Sequence, residues 1–324
     1  MYIFGIMPIH KLNQYQMYKM FLFLLTLWSL GAVIEVLSVK QFLTPEVHES
    51  WPTLFLVVFL GIILANPLDV MYRPFRFELM YSFYHNLIAP FGLVRFKEFF
   101  LGDILTSMVR PLIDIYFTAC YFGQDEWMNS ASSSVCKPSN KAILIVSLIP
   151  FHIRFWQCIN RYYYTKMWFP HLVNAGKYMS TIVLIVVSYF RNTYKAYDSL
   201  YIAVAVIATL YSYSWDIVMD WGLIRGTLPG KYLLRDRIKF PKHLYYFSMI
   251  TNLVLRCTWV VTLIPASYFP EFIQTTDSVF LILALAEVYR RAQWSLFRVE
   301  NENVNNFEKY RAIMEIPKLP DEHS

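Results

Sequence analysis

Residues 281–302, LILALAEVYRRAQWSLFRVENE, decide the fold. An apolar run, LILALA, leads directly into Glu287, Arg290, Arg291, Trp294 and Arg298. On an α-helix, offsets of 3, 4, 7 and 11 from Glu287 bring these five side chains onto one face. Charges this close to a hydrophobic run are expensive in a bilayer, each roughly 2.5–3.5 kcal/mol at mid-span on insertion scales. They are therefore expected to face a helix-bundle interior or a wet cavity, where the two arginines would form an anion site. The alternative is a helix that ends at the membrane interface with its arginines reaching for lipid headgroups. Matching charges on other helices favour the interior reading.

Working outward, the whole chain has a membrane composition. Of 324 residues 56% are hydrophobic and 16% charged, against about 25% charged in a soluble domain. The mean hydropathy is +0.37. Aromatics at 18% suit interfacial belts and bulky helix packing. Several apolar stretches are present, so a cleaved signal peptide does not account for them. The net charge of +6 forms no basic nucleic-acid stripe. The four cysteines, Cys120, Cys136, Cys158 and Cys257, make no CxxC pair, which argues against a zinc or redox centre.

Eight membrane segments are expected, near 19–39, 51–67, 100–121, 142–158, 178–192, 198–217, 245–267 and 277–295, giving an all-α polytopic transmembrane helical bundle. With the N-terminus in the cytosol, the loops on that side hold fourteen lysines and arginines and the opposite loops hold four. That bias supports eight spans with both termini cytosolic. The stretch 68–99 is too polar to cross and reads as an amphipathic helix and turn lying at the interface, with Pro90 as a breaker. The Ser/Asn-rich loop 122–141 is expected on the lumenal or extracellular side. There Cys120 and Cys136 form either a disulfide or two buried thiols. The tail from 299 onward is polar, with disorder expected after Pro317.

Charges recur inside the expected spans. Asp103, Ser107, Arg110 and Asp114 share one face of the third segment, and Asp103 and Asp114 could simply neutralise Arg110. The sixth segment ends with Asp216 and Asp220, four apart, readable also as an interfacial cap between Trp215 and Trp221. Arg256 and Trp259 lie one turn apart in an otherwise apolar seventh helix, and Arg256 requires an acid, a cavity or an anionic ligand. Lys177 and Tyr178 are expected to open the fifth helix, where the helix dipole already favours an anion. His171, after Pro170, reads as a loop histidine. Arginine forks fit tetrahedral oxyanions in bidentate fashion, and a mixed ring of charges binds an anion without trapping it.

The motifs PHLVNAGKY (170–178), WDIVMDWGL (215–223), LRCTWVV (255–261) and EVYRRAQWSLFRVENENVNN (287–306), with NPLDVMYRPFRFEL (66–79) and FKEFFLGDILTSM (96–108), resemble the EXS family of eukaryotic phosphate exporters. The resemblance implies a tunnel for inorganic phosphate among the helices. Along it would lie Asp103, Lys177, Tyr178, Asp216, Asp220, Arg256, Arg290 and Arg291, with Trp259 as the gate. Where larger relatives have an Asn one turn after the first Asp, this sequence has Thr106 and Ser107; Ser107 joins the expected path by sharing the Asp103 face, and Glu287 and Trp294 support it from the Arg290 face. Large members begin with a soluble SPX domain that senses inositol pyrophosphates. This sequence is expected to lack it and is similar instead to the short fungal Golgi branch. That implies a multi-pass Golgi membrane protein returning phosphate from lumen to cytosol, supporting glycosyltransferase recycling and retention of lumenal endoplasmic-reticulum proteins.

The corresponding organisation is an N-terminal cytosolic lead with the first spans (1–60), an EXS-type membrane domain (61–310) and a polar tail (311–324). No Walker loop, ATP motif or coupling-ion cage is legible, so flux would follow the phosphate gradient. Membrane lipids are obligatory partners, and a homodimer remains open. No cofactor, metal or nucleic acid is expected. Two other readings stand beside transport. One is an exporter in the plasma membrane. The other is a sorting adaptor that grips glycosyltransferase tails through the basic 225–242 loop and the 300–306 stretch. An enzyme is disfavoured, since HExxH and GxSxG are missing and no histidine pairs with a Ser or Cys nucleophile.

Overall fold

The computed structural model describes residues 14–39, 51–69, 71–89, 91–92, 94, 96–123, 141–224, 232–264, 268 and 276–314. Among these no strand occurs, and the chain is an all-α polytopic membrane protein. Ten α-helices follow in order: α1 Gln14–Val39, α2 Trp51–Ala65, α3 Arg73–Leu87, α4 Phe96–Leu105, α5 Val109–Gly123, α6 Lys141–Thr165, α7 Trp168–Thr193, α8 Asp198–Trp215, α9 Lys242–Arg256 and α10 Thr276–Met314. Four helical stretches among the described residues are long and apolar enough to cross a membrane: Lys141–Thr165, Trp168–Arg191, Lys195–Asp220 and Lys242–Leu263. The chain divides into two compact units, Met1–Leu172 and Val173–Ser324.

In the first unit the stretch 68–99 forms a helix, α3, followed by a turn that leads into α4, and Pro90 lies outside the described residues. Helix α3 buries Arg76, Ser82 and Asn86 and exposes Phe77, Tyr81, Tyr84 and Leu87. Polar side chains point inward and aromatics outward, the inverse of a soluble amphipathic helix. Arg76 explains the arrangement. Its Nη1 donates to the carbonyl oxygens of Ile63 and Leu64 (3.1 Å to the latter), and its Nη2 to that of Leu68 at 3.0 Å. One guanidinium thus satisfies carbonyls that the end of α2 leaves orphaned, a costly vacancy where water is scarce.

The expected third span is also broken. Helix α4 stops at Leu105, and α5 restarts at Val109 after turns from Ser107 N to Ile104 O and Met108 N to Leu105 O, both 2.9 Å. Pro111 cannot donate to the carbonyl one turn earlier, but it is tolerated in the first turn of a new helix. Cys120 is disulfide-bonded and Cys158 and Cys257 carry thiols, whereas Cys136 lies outside the described residues.

In the second unit the helices are inverted in the same way. Helix α9 buries Tyr245, Ser248 and Asn252 and exposes Phe247, Ile250 and Val254. Helix α8 turns Ala205, Ala208 and Ser212 inward, small residues that let helices approach closely. Helix α10, 39 residues and about 58 Å long by its rise, runs on well past 299, so the polar residues 299–314 are helical. The expected disorder after Pro317 falls outside the described residues.

Helix α7 begins at Trp168, ten residues earlier than expected, with a break in helical geometry at Phe169. His171 is therefore helical, and Lys177 sits two turns inside the helix instead of at its N-terminus. The helix-dipole argument for Lys177 does not apply. Of the fourteen cations assigned to cytosolic loops, Arg76, Lys97, Arg154, Lys177 and Arg235 are buried.

Candidate functional site

The charges at the close of α8 are set by a change in helix type. Residues Asp216–Asp220 form a π turn, in which Trp221 N donates to Asp216 O across five residues at 2.8 Å. Such turns insert one extra residue into the helical ladder and recur at functional sites. Here both ends of the turn are carboxylates, and both are buried, Asp216 at 2% exposure and Asp220 at 6%.

Asp216 is the centre of the cluster. Arg256, the last residue of α9, donates to its Oδ2 from Nε at 2.8 Å and from Nη2 at 2.5 Å. Asn252, one turn earlier on α9, donates to the same oxygen at 2.9 Å. From α10, Arg290 Nη1 lies 3.8 Å from Asp216 Oδ2 and 3.5 Å from Asn252 Oδ1. Arg290 is itself held by Glu287, which accepts from its Nε at 2.7 Å and its Nη2 at 2.5 Å. Lys177 of α7 adds a third positive charge acting on Asp216. Its ammonium lies 4.3 Å from the Tyr178 ring centroid and 5.5 Å from that of Trp215, so both aromatics share its charge. Two arginines from α9 and α10 therefore converge on one buried carboxylate, and the charge of Lys177 on α7 acts on it as well.

Below this centre the α10 face continues. Trp294 Nε1 donates to Asp220 Oδ2 at 3.2 Å, and Arg298 Nε lies 3.8 Å from Asp220 Oδ1. The Arg291 guanidinium stacks over Trp294, 4.5 Å from its ring centroid. Trp259 lies on a 3₁₀ stretch, Cys257–Leu263, that prolongs α9. Its Nε1 donates to Thr209 Oγ1 of α8 at 3.1 Å, and its ring meets Tyr201 edge-on at 6.0 Å. Tight packing fixes α7 against α8 at this level. Tyr211 donates to Val173 O at 2.5 Å, and a Cβ at Gly176 would stand 3.0 Å from the Tyr211 hydroxyl.

Asp103 and Ser107 lie in the first unit. Asp103 is gripped from both oxygens by Arg154 of α6, at 2.9 Å from Nε and 3.1 Å from Nη2. Arg154 is fully buried and stacks on Phe99, 3.6 Å from the ring centroid. Gln157, beside Arg154, donates onward to Asn86 at 2.7 Å. Arg110 is engaged by Asp114 at 2.9 Å on a half-exposed surface. Ser107 sits in the break between α4 and α5.

The sequence reading missed Asn252, although its place four residues before Arg256 in TNLVLRC is the signal that would have found it. It also placed Arg154 in a loop. Arg235, Glu300 and Asn301, read as surface residues, are buried together in the second unit.

The chain that builds this geometry is similar to known proteins over most of its length. The family model described as EXS family matches residues 1–304. The chain is 32% identical to "Xenotropic and polytropic retrovirus receptor 1 homolog" of Xenopus laevis, over 98% of this chain and 48% of that protein. It is 31% identical to "Solute carrier family 53 member 1" of Homo sapiens, over 98% of this chain and 48% of that protein. To "SPX and EXS domain-containing protein 1" of Dictyostelium discoideum the identity is 33%, over 96% and 34% respectively. The chain thus spans about half the length, or less, of the curated relatives it matches. With residues 1–304 of 324 under one family model, the chain belongs to the EXS family.

Proposed function

We propose that this chain carries a passive path for inorganic phosphate across a membrane, with Arg256, Arg290 and Lys177 as its anion site. One observation supports the reading above the rest. Two arginines from two helices are aimed at a single buried carboxylate, Asp216, and the charge of Lys177 on a third helix acts on it as well. A carboxylate is a fair stand-in for one edge of a phosphate, since both accept two parallel N–H bonds from a guanidinium. Asp216 would keep the guanidiniums oriented while the path is empty and yield them when phosphate arrives. It also keeps the site from becoming a trap, because its charge competes with the bound anion. Asp220, Trp294, Arg298 and Arg291 extend the path by one to two turns along α10. Trp259, braced by Thr209 and Tyr201, would narrow it. Asp103, in the first unit, carries its expected role in phosphate passage on the family resemblance alone.

The finer reading rests on the motif resemblance to the short Golgi branch. It places the protein in the Golgi membrane with both termini cytosolic. Phosphate would move from lumen to cytosol, and the recycling of glycosyltransferases would depend on that flow. The sorting-adaptor reading needs 225–242 and 300–306 at the surface. Arg235, Glu300 and Asn301 are instead buried against one another, whereas Arg237, Lys239 and Lys242 of the same loop are exposed, so three of its named residues are unavailable to a partner and those three cations are not.

The test is labelled-phosphate efflux from proteoliposomes holding the purified chain, wild type beside Arg256→Ala. Efflux lost in the variant supports the path, and a folded wild type without efflux overturns it. For location, lumenal Golgi phosphate should rise in cells lacking the protein. Unchanged lumenal phosphate with reduced phosphate in the medium would instead indicate the plasma membrane.

A further inference from the structure

The π turn that carries Asp216 and Asp220 is unlike the α-helix before it, and something must hold it open. A π turn misaligns the carbonyls at its end, which then require other donors. The carbonyls of Met219 and Asp220 accept from the Nδ2 of Asn301, at 3.3 Å and 3.0 Å. The other end of the same amide, Oδ1, accepts from Arg235 Nη1 at 3.0 Å, and that nitrogen also donates to Trp221 O at 3.1 Å. Arg235 Nη2 makes an ion pair with Glu300 Oε2 at 2.7 Å. Glu300 Oε1 in turn accepts from Lys239 N at 2.8 Å and from Tyr245 Oη at 2.5 Å.

Immediately after the turn, Gly222 adopts φ +64, and a Cβ there would stand 2.3 Å from Asn301 Oδ1. Glycine is required twice over, for its backbone angle and for the room it leaves the amide. Asn301 lies 11 residues beyond Arg290, on the α10 face that carries Trp294 and Arg298. One helix face therefore holds the π turn by its backbone at Asn301 and meets its carboxylates at Arg290, Trp294 and Arg298.

We propose that Asn301, seated on Gly222 and oriented by Arg235, is a positioning residue for the anion site. It clamps the Asp216–Asp220 turn in its π form and thereby sets where both carboxylates meet the arginines. The effect on phosphate rests on the transport reading above, whereas the clamp itself does not.

The experiment has two arms, run on the full chain in proteoliposomes or micelles. Amide hydrogen exchange of peptides covering 216–223 reads the turn, with peptides from 198–215 as internal control. Phosphate efflux against phosphate concentration reads the site. Asn301→Ala should speed exchange in 216–223 on the order of tenfold, with α8 unchanged. It should raise half-saturating phosphate by about fivefold with a smaller change in maximal flux. Gly222→Ala should do the same from the other side, and on top of Asn301→Ala it should add only the cost of its positive backbone angle, because the clashing amide is then gone. This second variant carries the test if Asn301→Ala does not fold.

Unchanged exchange in 216–223 would overturn the clamp. Faster exchange with unaltered half-saturation would overturn its role in positioning. If the wild type shows no phosphate flux, the transport reading fails, and the exchange arm still decides the clamp.

Discussion

Replacing Arg256 with alanine separates what this residue does for the fold from what it does for an anion. Its Nε and Nη2 supply two charge-assisted hydrogen bonds to Asp216 Oδ2, at 2.8 Å and 2.5 Å. Asp216 has a side-chain exposure of 3%, so bulk water has little access to replace them. Removing one partner of a buried ion pair costs about 3–5 kcal/mol, because the other charge is left uncompensated. Asn252 at 2.9 Å and Arg290 at 3.8 Å still share that carboxylate, which places the expected loss at the low end, about 3 kcal/mol. Thermal unfolding in detergent micelles, followed by tryptophan fluorescence, reads this loss.

The companion variant is Arg256→Ala with Asp216→Asn. Neutralising the carboxylate should restore most of the lost stability while phosphate efflux stays low. If Arg256 supplies a single charge-assisted hydrogen bond to phosphate, about 2 kcal/mol, half-saturating phosphate rises about thirtyfold. Two results would refute the reasoning. Wild-type efflux in the single variant would remove Arg256 from the path. Efflux regained together with stability in the double variant would make Arg256 only the counter-charge of Asp216.

Trp259→Ala should raise basal phosphate leak if the ring narrows the path; equal or lower flux in proteoliposomes would argue against a gate. Asp103→Asn should lower the melting temperature, since fully buried Arg154 loses its counter-charge, by about 3 kcal/mol of stability. A melting curve equal to wild type would show that the pair contributes little. Gly102→Ala should destabilise the first unit, because a Cβ there would stand 2.6 Å from Arg154 Cδ and 2.9 Å from Gln157 Oε1. Thermal unfolding checks this as well, and an unshifted transition would mean that α4 and α6 can separate at little cost. Tyr211→Phe should loosen the α7–α8 contact at Val173, by about 1 kcal/mol, read as faster hydrogen exchange in residues 170–178.

Much of the second unit was legible in sequence because its signals are local. Apolar runs of membrane length mark helices whatever surrounds them. A 3.6-residue period is enough to place Glu287, Arg290, Trp294 and Arg298 on one face. Arg256, alone in an apolar helix, required a counter-charge by desolvation alone, and Asp216 supplies it. Loops were the harder part. Membrane topology rules treat a cation as a loop residue, so Arg154, Lys177 and Arg235 were placed outside when each is buried. A charge bias counts cations without regard to whether a carboxylate waits for them in the interior.

The sequence by itself determined that the chain is an all-α membrane protein with charged helix faces turned inward, because burial of apolar surface and the cost of bare charge act residue by residue. Only the tertiary structure decided which charges meet. Asp103 answers to Arg154, 51 residues away, and Asp216 to Arg256, 40 residues away. It also decided where helices change form, at the Asp216–Asp220 π turn and the Cys257–Leu263 3₁₀ stretch. Such departures are held by partners distant in sequence, as the carbonyls of Met219 and Asp220 are by Asn301, and no local pattern encodes hydrogen bonds supplied from 82 and 81 residues away.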